Sequence, residues 1–146
     1  MDLSPEHFAT GLWGLFLACF LAATVLPFSS ELILGAMAMG PWSSLALWSV
    51  ASGGNWLGGM SSYAIGRLGD PQMIARWLRT DPAKAASFRS YAERHGHWAA
   101  LLTWLPIIGD LLAIALGLAK ARPLPVSILM LIGKAARYAV VLAILR

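Results

Sequence analysis

Two stretches of this chain carry the same costly feature. TVLPFSSEL (Thr24–Leu32) and TWLPIIGDL (Thr103–Leu111) each place a carboxylate four residues after a proline, inside otherwise apolar sequence. The acids are Glu31 and Asp110, and the prolines are Pro27 and Pro106. Two bases, Lys134 and Arg137, interrupt a further apolar stretch, and their spacing of three puts them on one helical face. A charge at the centre of a bilayer helix costs about 2.5–3.5 kcal/mol even on the lenient insertion scale. Two acids and two bases kept at that cost suit a polar cavity that binds a charged substrate or relays protons. The plainer alternative is two structural ion pairs that hold broken segments to intact ones. An arginine fork beside a lysine suits phosphate. The carboxylates would neutralise the bases in an empty site, and as acids they can also carry protons, so proton coupling is open to this chain.

Gly53–Arg67, GGNWLGGMSSYAIGR, is rich in small residues, and Gly54 and Gly58 form a G-x-x-x-G. Small residues let helices approach closely in membranes, so packing accounts for most of this stretch. Asn55 is the exception, because an amide among glycines can line a polar cavity. Enzyme chemistry finds no foothold: H-E-x-x-H and G-x-S-x-G are both missing. His7, His95 and His97 lack the companions of a metal site, and no cofactor is expected. The lone cysteine, Cys19, reads as a small packing residue.

The elements that must position these groups are membrane helices. The chain has 146 residues, enough for one domain, and is 58% hydrophobic and 12% charged. A soluble domain carries about 25% charged residues. Phe8–Ser30 and Leu32–Gly66 contain no Asp, Glu, Lys or Arg, and a spanning helix needs about 20 apolar residues. The first run is too long for a signal peptide and follows Asp2 and Glu6 rather than bases. The net charge of +4 is concentrated at Arg67–His97. Flanked by membrane helices, that segment reads as a cytoplasmic loop held by the positive-inside rule and open to anionic lipid, not as a nucleic-acid site. Short helices are expected in it at Met73–Arg79 and Ala83–Arg94. Trp13, Trp42, Trp77 and Trp98 fall near expected interfaces, as an aromatic belt would.

Prolines and glycines cut the runs. If Trp98–Leu118 turns back near Pro106 and Gly109, Lys120 and Arg122 share the cytoplasmic side with the basic loop. Val126–Leu145 then crosses to the outside. By the same logic Phe8–Gly40, broken at Pro27, is a hairpin entered from outside, and Trp42–Gly66 crosses inward. Each half is a hairpin plus a span, in opposite orientation. A shift of 79 residues (110 − 31) superposes the halves without gaps. It sets Gly54 on Gly133, Asn55 on Lys134, Ala64-Ile65 on Ala143-Ile144 and Arg67 on Arg146. Inverted repeats of this kind mark transporters, with broken segments meeting near the midplane. The expected fold is an all-α integral membrane protein, an inverted repeat of re-entrant helical hairpin plus transmembrane helix. Repeat 1 covers about 8–67, the basic cytoplasmic loop 68–97 and repeat 2 98–146. So short a unit can form a homo-oligomer to complete its core.

LPFSSE (Leu26–Glu31), GNWLGGMSSYAIGR (Gly54–Arg67), RHG (Arg94–Gly96), WLPIIGD (Trp104–Asp110) and GKAARY (Gly133–Tyr138) occur in that order. In these motifs the chain resembles the DedA superfamily of SNARE-associated, VTT-domain membrane proteins, and within it the small YqaA-like subgroup. The resemblance implies opposed re-entrant hairpins, a multi-pass protein of the bacterial inner membrane, and a lipid flippase or scramblase with membrane lipids as partners. It places the family's acid at Glu31. Thr103 and Gly109 stand where the wider family commonly has arginines; Lys134 and Arg137 would replace them from the last helix. Other readings are a proton- or cation-coupled transporter of a small solute, and a structural membrane protein without transport activity.

Overall fold

The computed structural model describes residues 5–23, 30–69, 72, 82–105 and 108–145. Every regular element among them is helical. In chain order they are α1 (Pro5–Ala22), α2 (Ser30–Ala38), α3 (Ser44–Leu68), α4 (Pro82–His95), a 3₁₀ helix (Gly96–Trp104), α5 (Ile108–Leu118) and α6 (Pro123–Leu145). Pro27, Pro106 and Met73–Arg79 lie outside the described residues; the helix expected at Ala83–Arg94 is α4.

Local chemistry sets the ends of these elements. Ser43 caps α3, its Oγ accepting the Ala46 N–H at 3.2 Å. The helix stops before Gly69, whose N–H returns to the Ile65 carbonyl at 2.8 Å. At the end of α5 the chain turns through Lys120 in the left-handed region, φ 54°. The Ala121 N–H reaches back to the Leu116 carbonyl at 3.1 Å and the Lys120 N–H to Gly117 at 3.0 Å. That is a Schellman closure with lysine where glycine is usual, and a cation there also complements the helix dipole. Pro123 then opens α6 at the position where its missing N–H costs nothing.

The two long helices run antiparallel. Trp48 Nε1 donates to the Ala135 carbonyl at 2.8 Å, and Trp56 Nε1 to that of Ser127 at 3.0 Å. As α3 advances, its partner on α6 recedes. These two tryptophans are therefore interhelical ties, whereas Trp13 and Trp98 are exposed, as belt residues are. Two apolar clusters form along the seam. One joins Leu15, Cys19, Leu34, Leu47, Ala51, Tyr138 and Leu142; the other is built on Tyr63, Ala92, Leu112, Leu116, Val126 and Met130.

Glycines make the crossings possible. A Cβ on Gly54 would lie 2.6 Å from the Phe16 carbonyl oxygen of α1, and one on Gly58 would collide with that of Phe20. Gly66 and Gly117 do the same where α3 crosses α5, against the Ile114 and Tyr63 carbonyls. This is the close approach that small residues permit in a membrane.

Among the described residues one helix is both long and apolar enough to cross a bilayer: α6, 23 residues long, with an 18-residue stretch of mean hydropathy 2.0. Its outward face carries Leu124, Ile128, Leu131, Ile132, Val140 and Ile144. The second expected span, α3, has the length at 25 residues, but its glycines and serines dilute its hydropathy. The expected hairpin Trp98–Leu118 consists of the 3₁₀ helix and α5 packed together. Gly109 sits in the first turn of α5, and a Cβ there would strike the Thr103 carbonyl where the two arms meet.

Gly58→Ala should lower the thermal unfolding midpoint in detergent, by an overpacking cost of about 1–3 kcal/mol. Gly53→Ala should not, because nothing lies within 4 Å of its Cβ position. Equal midpoints for the two variants would remove the glycine crossing as a source of stability.

Candidate functional site

Lys134 sits at the middle of α6 and is 1% exposed. Its ammonium donates to Oδ1 of Asn55, which is 2% exposed at the middle of α3. Asn55 Nδ2 in turn donates to the Cys19 carbonyl of α1 at 3.0 Å, which fixes the amide's orientation. Space for the lysine comes from Gly59, where a Cβ would lie 3.0 Å from Lys134 Cε and 2.6 Å from Met130 Sδ. The two bonded residues are 79 positions apart, the same shift that superposes the acids. A residue can touch its own repeat mate only on the axis that relates the repeats. The Asn55–Lys134 bond therefore falls where the axis of the expected repeat would lie.

The neighbouring glycines also meet backbone. Gly54 admits the Phe16 carbonyl of α1, and its mate Gly133 faces the Leu101 carbonyl of the 3₁₀ helix, 2.9 Å from its Cβ position. Helix α1 packs on α3 as the 3₁₀ helix packs on α6; α5 packs extensively on α3, whereas α2 meets α6 sparingly. Glu31 and Asp110 occupy the first turns of α2 and α5. A carboxylate there is favoured by the helix dipole.

Beyond placement the symmetry breaks. Glu31 forms an ion pair with Arg137 Nη2. The other arm of that guanidinium, Nη1, donates to the Trp104 carbonyl at 3.0 Å. Its carbon lies 5.1 Å from the centroid of the Tyr138 ring. Tyr138 is buried, and its hydroxyl shares a 2.7 Å hydrogen bond with Ser30 Oγ, beside Glu31. Asp110 has no such clasp. The mate of Arg137 is Gly58, so no arginine stands opposite it. Among the described residues no base lies within 4 Å of Asp110, and the charge it faces is Lys134, at longer range. Ser52 shares the α3 stripe of Trp48, Asn55 and Gly59; its buried Oγ has no hydrogen-bond partner among the described residues.

The structure thus brings Asn55 to Lys134 and Glu31 to Arg137, and sets Asp110 towards Lys134 without contact. Sequence reasoning passed over Tyr138, Ser30, Ser52 and the Trp104 carbonyl. Tyr138 had a signal, since it lies one turn beyond Lys134 on the same face. So had the axis, because the repeat shift itself pairs Asn55 with Lys134.

Residues 26–146 match the VTT domain. The chain belongs to the VTT-domain, or DedA, family of membrane proteins. It is 36% identical over 139 residues to the inner membrane protein YqaA of Escherichia coli, covering 92% of this chain and 91% of that protein. The same values hold for YqaA of Shigella flexneri. An uncharacterized protein of Haemophilus influenzae is 33% identical over 145 residues, with 92% and 87% covered. No solved structure matches. The resemblance drawn from the LPFSSE, WLPIIGD and GKAARY motifs is thereby borne out, down to the YqaA-like subgroup.

A double-mutant cycle tests the axial bond. Asn55→Ala should destabilise by about 1–3 kcal/mol, because it strands a buried ammonium. Lys134→Met removes a desolvated charge but leaves the buried Asn55 Oδ1 without its donor, so it should cost less than Asn55→Ala. The double variant should therefore be more stable than Asn55→Ala alone. Additive losses in denaturation would show that the two side chains do not depend on each other.

Proposed function

We propose that this chain is a multi-pass protein of the bacterial inner membrane that moves an anionic lipid, a polyprenyl phosphate or a glycerophospholipid, between leaflets. The observation that carries this reading is the pair of cations, Lys134 and Arg137, midway along the one helix among the described residues that is apolar enough to span, with carboxylates approaching from two separate short helices. Cations held at that depth need an anion, and an anionic head group passing the midplane is one that a membrane supplies. The relatives named as inner membrane proteins support the location. In this reading α1–α2 and the 3₁₀ helix–α5 are re-entrant hairpins entered from opposite sides, and α4 lies on the cytoplasmic surface. Glu31, Asp110, Lys134, Arg137 and Asn55 line the path.

A second reading has support from Asp110. A carboxylate that faces a buried lysine without an ion pair suits proton or cation coupling to a small solute, for which no lateral opening to lipid is needed.

Reconstituted protein and a labelled anionic lipid separate the two. Leaflet exchange should be fast for the wild type and fall at least tenfold for Glu31→Gln. Exchange no faster than in empty liposomes, across several head groups, would sink the lipid reading, and proton flux driven by a pH step would then test the second.

A further inference from the structure

The two short helices that bring the acids to the axis are held very differently. Seven of the 11 residues of α5 are buried, against two of the nine in α2. Helix α5 is seated on α3 through Gly66 and Gly117, where backbone meets backbone. Helix α2 presents Leu32, 75% exposed, to its surroundings, and Met39 just after its end is 91% exposed. At its N-terminus it is tied to α6 through Ser30 to Tyr138 and Glu31 to Arg137.

Arg137 is the common point. One arm of its guanidinium holds Glu31 of α2, and the other holds the Trp104 carbonyl at the end of the 3₁₀ helix. The two hairpin arms are thus joined through a single side chain. This pair is also reachable. The Glu31 side chain is 33% exposed and that of Arg137 13%, whereas Lys134 behind them is sealed. An anion approaching the axis from outside meets Arg137 first.

We propose that Glu31–Arg137 is a latch, that α2 is the moving gate, and that a phosphoryl oxyanion opens it by taking the place of the Glu31 carboxylate on Arg137. The inference rests on the transport reading above. A guanidinium fork accepts a phosphate in the geometry in which it accepts a carboxylate, so the exchange leaves Arg137 neutralised throughout. The displaced Glu31 is already partly exposed, so it is not left as a buried, uncompensated charge. Nη1 keeps the Trp104 carbonyl, so the second hairpin stays in place while α2 leaves. Asp110 has no arginine opposite it and provides no equivalent latch, so the gate is one-sided.

Disulfide trapping tests this independently of transport. A Cβ on Gly35 of α2 would lie 3.7 Å from Leu145 Cδ1 of α6. The Gly35→Cys, Leu145→Cys pair in a Cys19→Ser background therefore reports α2 seated on α6. In phosphatidylcholine vesicles cross-linking should be fast. With phosphatidylglycerol added it should slow severalfold; with inorganic phosphate alone, slowing would identify a free oxyanion rather than a head group as the opener. Adding Glu31→Gln should give slow cross-linking in both lipids, with no further response to phosphatidylglycerol. Ser30→Ala, which removes the neighbouring Tyr138 bond and no charge, should keep the response. If Glu31→Gln fails to fold, Arg137→Gln makes the same prediction from the other side of the pair. Equal rates with and without either anion, or an undiminished anion response in Glu31→Gln, would overturn the latch. Lipid exchange that persists alongside such equal rates would leave the transport reading standing and remove only the gate.

Discussion

An ammonium group held at the centre of an apolar bundle sets the terms for everything around it. Lys134 cannot reach water, so an acceptor must be brought to it. Asn55 does so, but only because α3 lies antiparallel to α6 and close against it. That closeness needs Gly59, whose missing side chain leaves room for the lysine stem, and Met130, which packs beside it. Asn55 must in turn be oriented, and the α1 carbonyl that orients it is brought within reach by Gly54 and Gly58. One buried bond thus links the small-residue stripe of α3, the seating of α1 and the register of the two long helices.

The expected repeat would account for where that bond lies, and also for a lopsided site. Duplicated halves place their mates symmetrically about an axis, and any residue on the axis meets its own copy. A like pair there would set two lysines or two amides against each other. The chain instead carries an amide in one half and an ammonium in the other, so the contact is a hydrogen bond between unlike groups. The same divergence put arginine at 137 and glycine at 58. The first clasps Glu31; the second is a crossing point for α1, with no side chain to offer Asp110. Selection for close helix packing in one half and for charge in the other left one acid paired and the other facing Lys134 at a distance.

Much of this was legible in the residues themselves. Charge scarcity and the long uncharged runs identify an all-helical membrane protein, because hydropathy is a local property of the chain. The acids stand out because a carboxylate in such surroundings is expensive wherever the helix ends up. The spacing of Lys134 and Arg137 puts both on one side of α6, and the motifs named the family. The 3₁₀ form of Gly96–Trp104 was not legible, since its residues are ordinary helix formers and its close winding is set against α6, where Gly133 faces Leu101. Nor was the interior role of Trp48 and Trp56: composition assigns tryptophan to the interface, and only the neighbouring helix offers their indoles a carbonyl.

Which acid meets which base was decided by tertiary structure alone. Both carboxylates and both cations are explicit in the sequence, and every pairing among them is open until the helices are set in space. Packing gave Arg137 to Glu31 and Lys134 to Asn55, and left Asp110 beyond contact range of either cation. The physical reason is that the energy of a buried charge depends on its nearest few ångströms, and those are supplied by residues up to 106 positions away. The sequence by itself determined that the first half would carry one acid and the second an acid and two bases into apolar surroundings; the fold determined where each charge would find its counterpart.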